Sequence, residues 1–514
     1  MQIAPAAGEF AARHAAGKPQ VVWTTLVADL ETPVSAFLKV TGARAGGSRR
    51  KHTRPVGFLL ESVEGGAVRG RYSIIGLEPD LVFRAHGSRA EINHNPQRRP
   101  HGFKPVAETP LAALRSLIEQ SRIALPDALP PMAAGVFGYL GYDMVRLMED
   151  TLAAPAGDPI DIPDAIVIRP TLVIVFDAVE DTITIVTPVR PQKTVTAKTA
   201  LARARKRLGE IVAALDRPLS KSAAETHRGP LRVAPRSNTT PAEFRRMVVQ
   251  AKEYIAAGDI FQVVLSQRFE APFRLPPFAL YRALRRVNPS PYLFFLDYGA
   301  FAIAGSSPEI LVKAEHGVVT IRPIAGTRRR GATPHEDAAL EAELLADPKE
   351  RAEHLMLLDL GRNDVGRVAE IGSVKVTDRF FIERYSQVMH IVSNVEGKLR
   401  KDCDPLDALI AGFPAGTVSG APKVRAMQII DELEKEKRSL YAGCVGYFSA
   451  GTAMDTCIAL RTALIKNGVM YVQAGAGIVA DSDPEFEQQE CINKAKALFR
   501  AAEEAQRFAA AARK

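Results

Sequence analysis

Apolar residues recur along this chain with two spacings, the alternation typical of β-strands and the three-to-four-residue repeat typical of α-helices. Alternation predicts a hairpin from Ile166–Phe176 and Thr182–Thr187, and Asn467-Gly468 is a strong hairpin turn before a further strand. Thr240 and Glu243 form a capping box that opens a helix. Hairpin-joined strands with helices grouped between them predict an α+β fold. We expect large antiparallel sheets forming a sandwich flanked by helices, with the N- and C-terminal halves intertwined.

Three further segments carry specific expectations. Residues 135–149 are expected to form a glycine-rich turn that leads into a helix, and residues 458–465 a single strand. Residues 475–480 match GxGxxA after a strand, but the next helix opens only at Asp483-Pro484, which argues against a dinucleotide-binding fold. This stretch is expected to be a bare loop whose backbone N–H groups hold a carboxylate.

A change in composition predicts the domain boundary. The stretch from Asp216 to Asn238 is rich in Pro, Ser, Lys and Arg, as linkers often are. We therefore expect an N-terminal region of residues 1–216, a linker of residues 217–238 and a C-terminal domain of residues 239–514.

Two helix starts carry paired carboxylates. Glu350 and Glu353 follow Asp347-Pro348, and Glu487 and Glu490 follow Asp483-Pro484, so each pair lies on one helix face. Lys494 lies one turn beyond Glu490 on the same face. If the helices face each other, four carboxylates need a divalent cation, and hard oxygen ligands favour magnesium over zinc. From this pattern alone, two solvated acidic helix starts, which suit the helix dipole, are the favoured interpretation.

Composition narrows the class of protein. A chain of 514 residues with 46% hydrophobic and 24% charged residues is typical of a soluble globular protein. It shows neither an apolar run of about 20 residues nor a signal-peptide core, so a cytoplasmic location without a membrane span is expected. The four cysteines are scattered, which argues against zinc and disulfides. The net charge of +9 comes without an aromatic platform, so an acidic small substrate or plain solubility explains it at least as well as nucleic acid, and we expect no nucleic acid.

Three residues are ambiguous by themselves. His390 lies in an apolar strand, where a core histidine is the simpler interpretation. Tyr447 ends a strand and is most simply a packing residue. Arg461 lies in a similarly apolar segment and needs an anionic partner, which favours a functional role or an internal salt bridge.

Taken together, the motifs resemble the chorismate-utilising enzymes, and most closely the large subunits of anthranilate synthases. The similarity spans nearly the whole chain and is densest between Thr240 and Arg500. The segments that carry it include GFLLES, NPSPYLFF, GSSPEIL, RPIAGTRRRG, ERAEHLMLLDLGRND, ERYSQVMHIVS, FPAGTVSGAPK, GCVGYF, DTCIALRTAL, VQAGAGIVADS and EFEQQECINKAKAL.

The resemblance implies a reaction in which ammonia adds at C2 of chorismate, the C4 hydroxyl leaves, and pyruvate is then eliminated to give anthranilate. It implies Mg²⁺ on Glu353 and Glu490, supported through water by Glu350 and Glu487. It implies Glu309 as general acid and His390 as the group that assists loss of the C2 proton and of pyruvate. Lys494 would add positive charge, and the enolpyruvyl carboxylate would be held by Gly326, Thr327, Tyr447, Arg461 and the backbone of Gly475, Ala476 and Gly477.

Two positions discriminate within the family. The isochorismate and salicylate formers carry a lysine base where this chain has Gln262, and an amide cannot activate water. The para-aminating relatives, the aminodeoxychorismate synthases, carry a nucleophilic lysine where this chain has Ala325. Both differences favour direct addition of ammonia at C2, and these two other activities are the alternatives.

The resemblance also implies partners and regulation. No cysteine has the context of a glutaminase nucleophile, so a separate glutamine amidotransferase subunit is expected to deliver ammonia, in a heterotetramer of two large and two small subunits. Tryptophan, as end product of the pathway that this reaction would open, is expected to inhibit at a site formed by Ser62, Pro291, Tyr292 and Leu293. Ser62 is expected to bind a polar group, with Tyr292 and Leu293 bordering the indole.

Overall fold

The computed structural model describes residues 2–45, 56–64, 68–153, 157–219, 235–385 and 388–511. Of the expected linker, residues 220–234 lie outside these ranges. The predicted division into domains therefore stays a prediction.

The described residues form runs of strands with helices grouped between them. The helices are α1 (Ala7–Ala15), α2 (Pro33–Ala45), α3 (Pro110–Gln120), α4 (Ala197–Leu215), α5 (Pro241–Ala256), α6 (Pro277–Val287), α7 (Pro334–Ala346), α8 (Pro348–Gly366), α9 (Pro405–Gly412), α10 (Lys423–Leu433) and α11 (Pro484–Ala511). The strands of the first half are β1 (Gln20–Val27), β2 (Gly57–Glu64), β3 (Val68–His86), β4 (Arg89–Asn93), β5 (Lys104–Pro105), β6 (Gly135–Leu140), β7 (Ala165–Asp177), β8 (Thr182–Val189) and β9 (Arg236–Ser237). Those of the second half are β10 (Gln262–Pro272), β11 (Tyr292–Asp297), β12 (Phe301–Ser307), β13 (Ile310–Glu315), β14 (Val318–Ile321), β15 (Ile324–Arg329), β16 (Lys375–Arg384), β17 (Val388–Lys398), β18 (Gly420–Ala421), β19 (Cys444–Ser449), β20 (Met454–Ile458), β21 (Thr462–Lys466) and β22 (Val469–Ile478).

The strands form one antiparallel network arranged in two layers. The first layer runs β1-β8-β7-β3-β2-β11-β12-β21-β22-β10, and the second runs β5-β4-β3-β7-β6-β19-β20-β13-β14-β17, with β15 and β16 also paired to β17. Strands β3 and β7 belong to both layers. Their pairing shifts register between Pro79 and Leu81, and Glu78 has a φ of 53°, so both long strands bend there from one layer into the other.

The two halves of the chain share both layers, as expected. In the first layer β2 pairs with β11, with Ser62 opposite Tyr292, and in the second β6 pairs with β19. Buried residues from both layers, among them Phe58, Phe137 and Phe294, pack between them. Helices α2, α4, α6 and α11 cover the outer face of the first layer, and α3, α8 and α9 cover that of the second. The predicted α+β sandwich with flanking helices is confirmed.

Three local predictions were wrong. Residues 135–140 form strand β6, followed by a 3₁₀ segment at Tyr142–Leu147, because Phe137 and Tyr139 are buried between the layers. Residues 458–465 form the end of β20 and most of β21, since the chain crosses from the second layer to the first and Arg461 takes a φ of 47° at the crossing. Gly475–Gly477 belong to β22, because β10 offers an antiparallel partner as far as Ile478.

Candidate active site

The two acidic helix starts come together beside strand β10. Asp347 caps α8 by accepting from the backbone N–H groups of Lys349 and Glu350, at 2.9 and 3.3 Å. Burial raises the pKa of Glu353, and the negative charges of Glu350 and Glu490 raise it further. Carboxylates from α8 and α11 are therefore close enough to influence each other's protonation. Burial likewise raises the pKa of Glu487 at the start of α11.

Cationic side chains partly neutralise this group of carboxylates. Arg328 Nη1 donates to Glu350 Oε1 at 3.0 Å and Arg328 Nη2 to Asp347 Oδ2 at 2.7 Å. Lys494 Nζ lies 2.5 Å from Glu490 Oε1 and 3.0 Å from the carbonyl oxygen of Gly475. Arg328 was not predicted from the sequence, because its partners lie on other elements.

Gln262 joins the carboxylates to the glycines of β22. Its Nε2 donates to Glu353 Oε1 at 3.1 Å, while its Oε1 is buried and finds no partner among the described residues. A Cβ on Gly477 would lie 2.6 Å from Gln262 Nε2, and one on Gly475 would lie 2.7 Å from the Tyr441 hydroxyl. At Gly475 the Leu265 carbonyl oxygen is equally close, at 2.7 Å, so only glycine fits there, whereas a side chain at Gly477 would displace the Gln262 amide. Both glycines lie in a strand instead of the expected loop.

His390 is held in one tautomer beside the Gly326-Thr327 turn. Its Nδ1 lies 2.8 Å from the carbonyl oxygen of Gly326 and 3.1 Å from Thr327 Oγ1. A carbonyl oxygen only accepts, so Nδ1 carries the proton and Nε2 keeps its lone pair. Burial lowers the pKa of His390 from 6.5 to about 4, and the charges of Arg461 and Lys494 contribute to that lowering. The histidine is therefore neutral at pH 7 and able to accept a proton.

Gly326 places this turn against the acidic helix. Its φ of 69° lies in the left-handed region, and a Cβ there would lie 3.2 Å from Glu350 Oε2. Gly326, Thr327, His390 and Glu350 therefore share one neighbourhood.

Glu309 has the opposite protonation state. It lies between β12 and β13, is 6% exposed, and accepts a hydrogen bond from Thr417 Oγ1 at 3.2 Å. Burial raises the pKa of Glu309 from 4.5 to about 8, so the carboxyl is mostly protonated at pH 7 and able to donate a proton. Thr417 was not predicted from the sequence.

Arg461 and Tyr447 complete the placement of the predicted substrate-binding residues. Burial lowers the pKa of Arg461, and the nearby Tyr441 and Glu490 oppose that lowering. Tyr447 lies in the layer between the sheets, with its ring centroid 5.6 Å from that of Phe137. Arg461 thus lies near Glu490 of the carboxylate cluster. The ring of Tyr447 instead packs in the core between the two sheets, against Phe137 of the second sheet layer.

Three of the four residues expected to bind tryptophan line a separate cavity. The cavity has about 570 Å³ of space between atoms, part of it open to solvent, and its walls include Ser62, Pro291 and Tyr292. Tyr292 donates from its hydroxyl to Asp455 Oδ1 at 3.0 Å, and Ser62 Oγ donates to the carbonyl oxygen of Tyr72 at 3.2 Å. The side chain of Leu293 points to the opposite face of β11, into the core beneath the helices, so it does not border the cavity as expected.

The carboxylate oxygens of this cluster are donors of the kind that magnesium prefers, but water or substrate oxygens would have to complete the coordination. Within the described ranges, no three Asp, Glu, His or Cys side chains lie close enough together to hold a metal ion by themselves. Mg²⁺ is commonly bound by one or two carboxylates together with water and substrate oxygens. Glu353 and Glu490, carboxylates on two helices whose charges influence each other, fit such a site.

Comparisons with known proteins show the family of this chain. The profile of the family described as "chorismate binding enzyme" matches residues 63–500. The chain belongs to the chorismate-binding enzymes. It is 54% identical to anthranilate synthase component 1 of Cereibacter sphaeroides over 497 residues, which cover 96% of each chain. It is 47% identical to anthranilate synthase component 1 of Pseudomonas putida, with 92% of this chain and 93% of the relative covered.

Solved structures of related proteins show the same fold. The crystal structure of anthranilate synthase component I from Streptococcus pneumoniae matches with a TM-score of 0.73 at 39% identity, covering 84% of this chain and 92% of that one. The menaquinone-specific isochorismate synthase of Escherichia coli matches with a TM-score of 0.67 at 20% identity, covering 97% and 100%. The second similarity concerns the fold alone. Among the described residues, no helix is both long and apolar enough to cross a membrane.

Proposed function

We propose that this chain converts chorismate and ammonia to anthranilate, pyruvate and water. Its relatives named anthranilate synthase component 1, at 54% and 47% identity over nearly the full length, favour this activity among those of the family. The proposal is supported by two buried groups with complementary proton affinities. Burial leaves Glu309 protonated at pH 7, and it leaves His390 neutral on the Gly326 turn that lies against Glu350.

The first half of the reaction needs a proton donor and a nucleophile. Glu309 donates its proton to the C4 hydroxyl as the C4–O bond breaks, so that the leaving group is water. Ammonia forms the new C2–N bond. The unpartnered Oε1 of Gln262 is a hydrogen-bond acceptor for an N–H of ammonia, whereas a carboxamide has no basic group with which to activate water.

The second half removes pyruvate from the aminated ring. Nε2 of His390 is the free base of the imidazole and takes the C2 proton, while the C3–O bond breaks and the ring becomes aromatic. The leaving group is the enolate of pyruvate, which takes up a proton at its methylene carbon to give pyruvate. Arg461 and Lys494 provide positive charge for the substrate's carboxylates. The neutral histidine is maintained by burial and by these two cations.

Magnesium is part of the proposal. Glu353 and Glu490 would hold the ion, with Glu350 and Glu487 supporting it through water, and the cation would supply Lewis-acid polarisation of the substrate. Gln262 orients Glu353 through its hydrogen bond. Lys494 and Arg328 neutralise part of the negative charge through their ion pairs with Glu490 and Glu350.

We further propose a partner and a regulator. The designation "component 1" of the relatives implies a second component, which we propose to be a glutamine amidotransferase subunit that supplies ammonia in a heterotetramer of two large and two small subunits. The pathway would be tryptophan biosynthesis, at its first committed step. Tryptophan would inhibit by occupying the cavity beside Ser62, Pro291 and Tyr292, where Asp455 and Arg322 offer partners for an ammonium and a carboxylate.

A fluorescence assay tests the catalytic proposal. Purified protein with chorismate, Mg²⁺ and an ammonium salt should produce the anthranilate emission, and omission of ammonium should abolish it. Formation of isochorismate, salicylate or a para-aminated product under these conditions would assign the chain to another activity of the family.

A further inference from the structure

One aromatic ring separates the cavity from the catalytic histidine. Tyr385 is 6% exposed and forms part of the wall of the 570 Å³ cavity. On its other side the ring meets His390 edge to face, with centroids 5.4 Å apart and an interplanar angle of 63°. Aromatic pairs prefer this arrangement, so Tyr385 restricts the plane of the imidazole.

The backbone of Tyr385 is fixed independently of the cavity. Its N–H donates to the carbonyl oxygen of Val388 at 2.8 Å, and its carbonyl oxygen accepts from Arg330 Nη1 at 2.8 Å. Arg330 is itself held by a two-bond contact with Asp337, at 2.8 Å for each bond. Displacement of the whole residue is therefore opposed, and the freedom that remains is that of the side chain.

The hydroxyl end of Tyr385 is held by groups that line the cavity. Its Oη donates to Glu383 Oε2 at 2.7 Å, and Glu383 also pairs with Arg322. Both Glu383 and Arg322 face the cavity. A zwitterionic amino acid entering there would compete for this ion pair with its own ammonium and carboxylate groups, and so would alter the bond that orients the tyrosine ring.

We propose that Tyr385 is a positioning residue for His390, and that its bond to Glu383 is the point at which an occupant of the cavity acts on the histidine. His390 is held at Nδ1 by the Gly326 carbonyl and Thr327 Oγ1, and its ring is held by the ring of Tyr385. Releasing the ring contact lets the imidazole rotate about its Nδ1 contacts, away from the substrate's C2 proton. The catalytic consequence rests on the proposed function, whereas the contact between the rings of Tyr385 and His390 does not depend on it.

Two substitutions at Tyr385 distinguish the role of its ring from that of its hydroxyl group. Tyr385→Leu should lower kcat about tenfold or more with little change in KM, since general-base geometry is lost while chorismate contacts remain, and it should release the aminated, non-aromatic intermediate. Tyr385→Phe keeps the ring and should restore most of that kcat. It should also weaken inhibition by tryptophan about tenfold while the Kd for tryptophan, measured calorimetrically, changes far less.

A matched control tests for a merely structural effect. Tyr298 is another largely buried tyrosine, whose ring contacts are with Tyr139 and Phe301. Tyr298→Leu should release no intermediate even if it lowers the melting temperature as much. The proposal is overturned if Tyr385→Leu and Tyr298→Leu give the same kinetic profile, or if Tyr385→Phe fails to restore kcat.

Histidine NMR gives a readout that does not depend on turnover. With labelled histidine and His390→Met to assign the signal, loss of the Tyr385 ring should shift the His390 resonance because its ring current disappears. Tryptophan should shift the same resonance in the parent but not in Tyr385→Phe. An unmoved resonance in Tyr385→Leu would overturn the positioning role, whereas absence of anthranilate from the parent would overturn only the proposed function.

Discussion

Replacing Glu309 by glutamine tests the general acid through two independent quantities. The parent carboxyl, with a pKa of about 8, is about nine-tenths protonated at pH 7 and about one-tenth protonated at pH 9. If its proton goes to the leaving hydroxyl, kcat should fall about tenfold per pH unit well above pH 8. Glu309→Gln should lower kcat by about 10²- to 10⁴-fold, which corresponds to about 3–5 kcal/mol of barrier, and should remove this alkaline limb.

The same substitution has a predicted effect on stability. Because burial raises the pKa of Glu309 from 4.5 to about 8, the unfolded chain loses this proton at lower pH than the folded chain. Folding stability of the parent should therefore fall relative to Glu309→Gln by about 1.4 kcal/mol per pH unit between about pH 4.5 and 8. At pH 7 the accumulated difference in the free energy of unfolding between the two proteins is about 3 kcal/mol.

Denaturant unfolding of both proteins at pH 5, 6 and 7 measures this difference, and steady-state anthranilate fluorescence measures the alkaline limb. Thr417→Val is the matched control for the hydrogen bond at Glu309 Oε2. Since that bond lowers the pKa of Glu309, its removal should move the alkaline limb to higher pH without abolishing turnover. A Glu309→Gln protein that keeps both its activity and the alkaline limb would refute the assignment.

Three further predictions concern the other parts of the site. Glu353→Gln and Glu490→Gln should each abolish nearly all turnover and weaken Mg²⁺ binding measured by calorimetry in the presence of chorismate, because each removes a hard anionic ligand; a fully active Glu490→Gln protein would show that the two helices do not share a cation. His390→Met should accumulate the aminated, non-aromatic intermediate, detectable by chromatography, and unchanged anthranilate formation would return His390 to the role of a core histidine. Ser62→Phe should fill part of the cavity and leave anthranilate synthesis active but insensitive to tryptophan in an inhibition assay, and a variant as sensitive as the parent would exclude that site.

The sequence predicted those parts of the site that depend on local spacing. Glu350 and Glu353, like Glu487 and Glu490, share a helix face because three residues separate them, and Asp347 caps α8 as its position before a proline indicated. These features arise within a single element, so one segment contains the information that determines them.

Features that depend on the meeting of distant segments were missed or wrongly predicted. Arg461 takes a positive φ only because the chain crosses there between the two layers, and apolar neighbours on both sides gave it the pattern of a strand. Leu293 faces the core because β2 and β12 flank β11 in the first layer, which fixes the face that each side chain takes. Tyr385 and Thr417 become recognisable only once their partners, His390 and Glu309, are placed beside them.

In the proposed reaction the nucleophile that adds to C2 of chorismate is ammonia, and water does not add there. The most direct test is mass spectrometry of the products formed from chorismate and ¹⁵N-ammonium in ¹⁸O-water with Mg²⁺. We expect anthranilate that carries ¹⁵N in its amino group and no ¹⁸O on the ring. A ring product labelled with ¹⁸O at C2, with ¹⁵N absent, would contradict it.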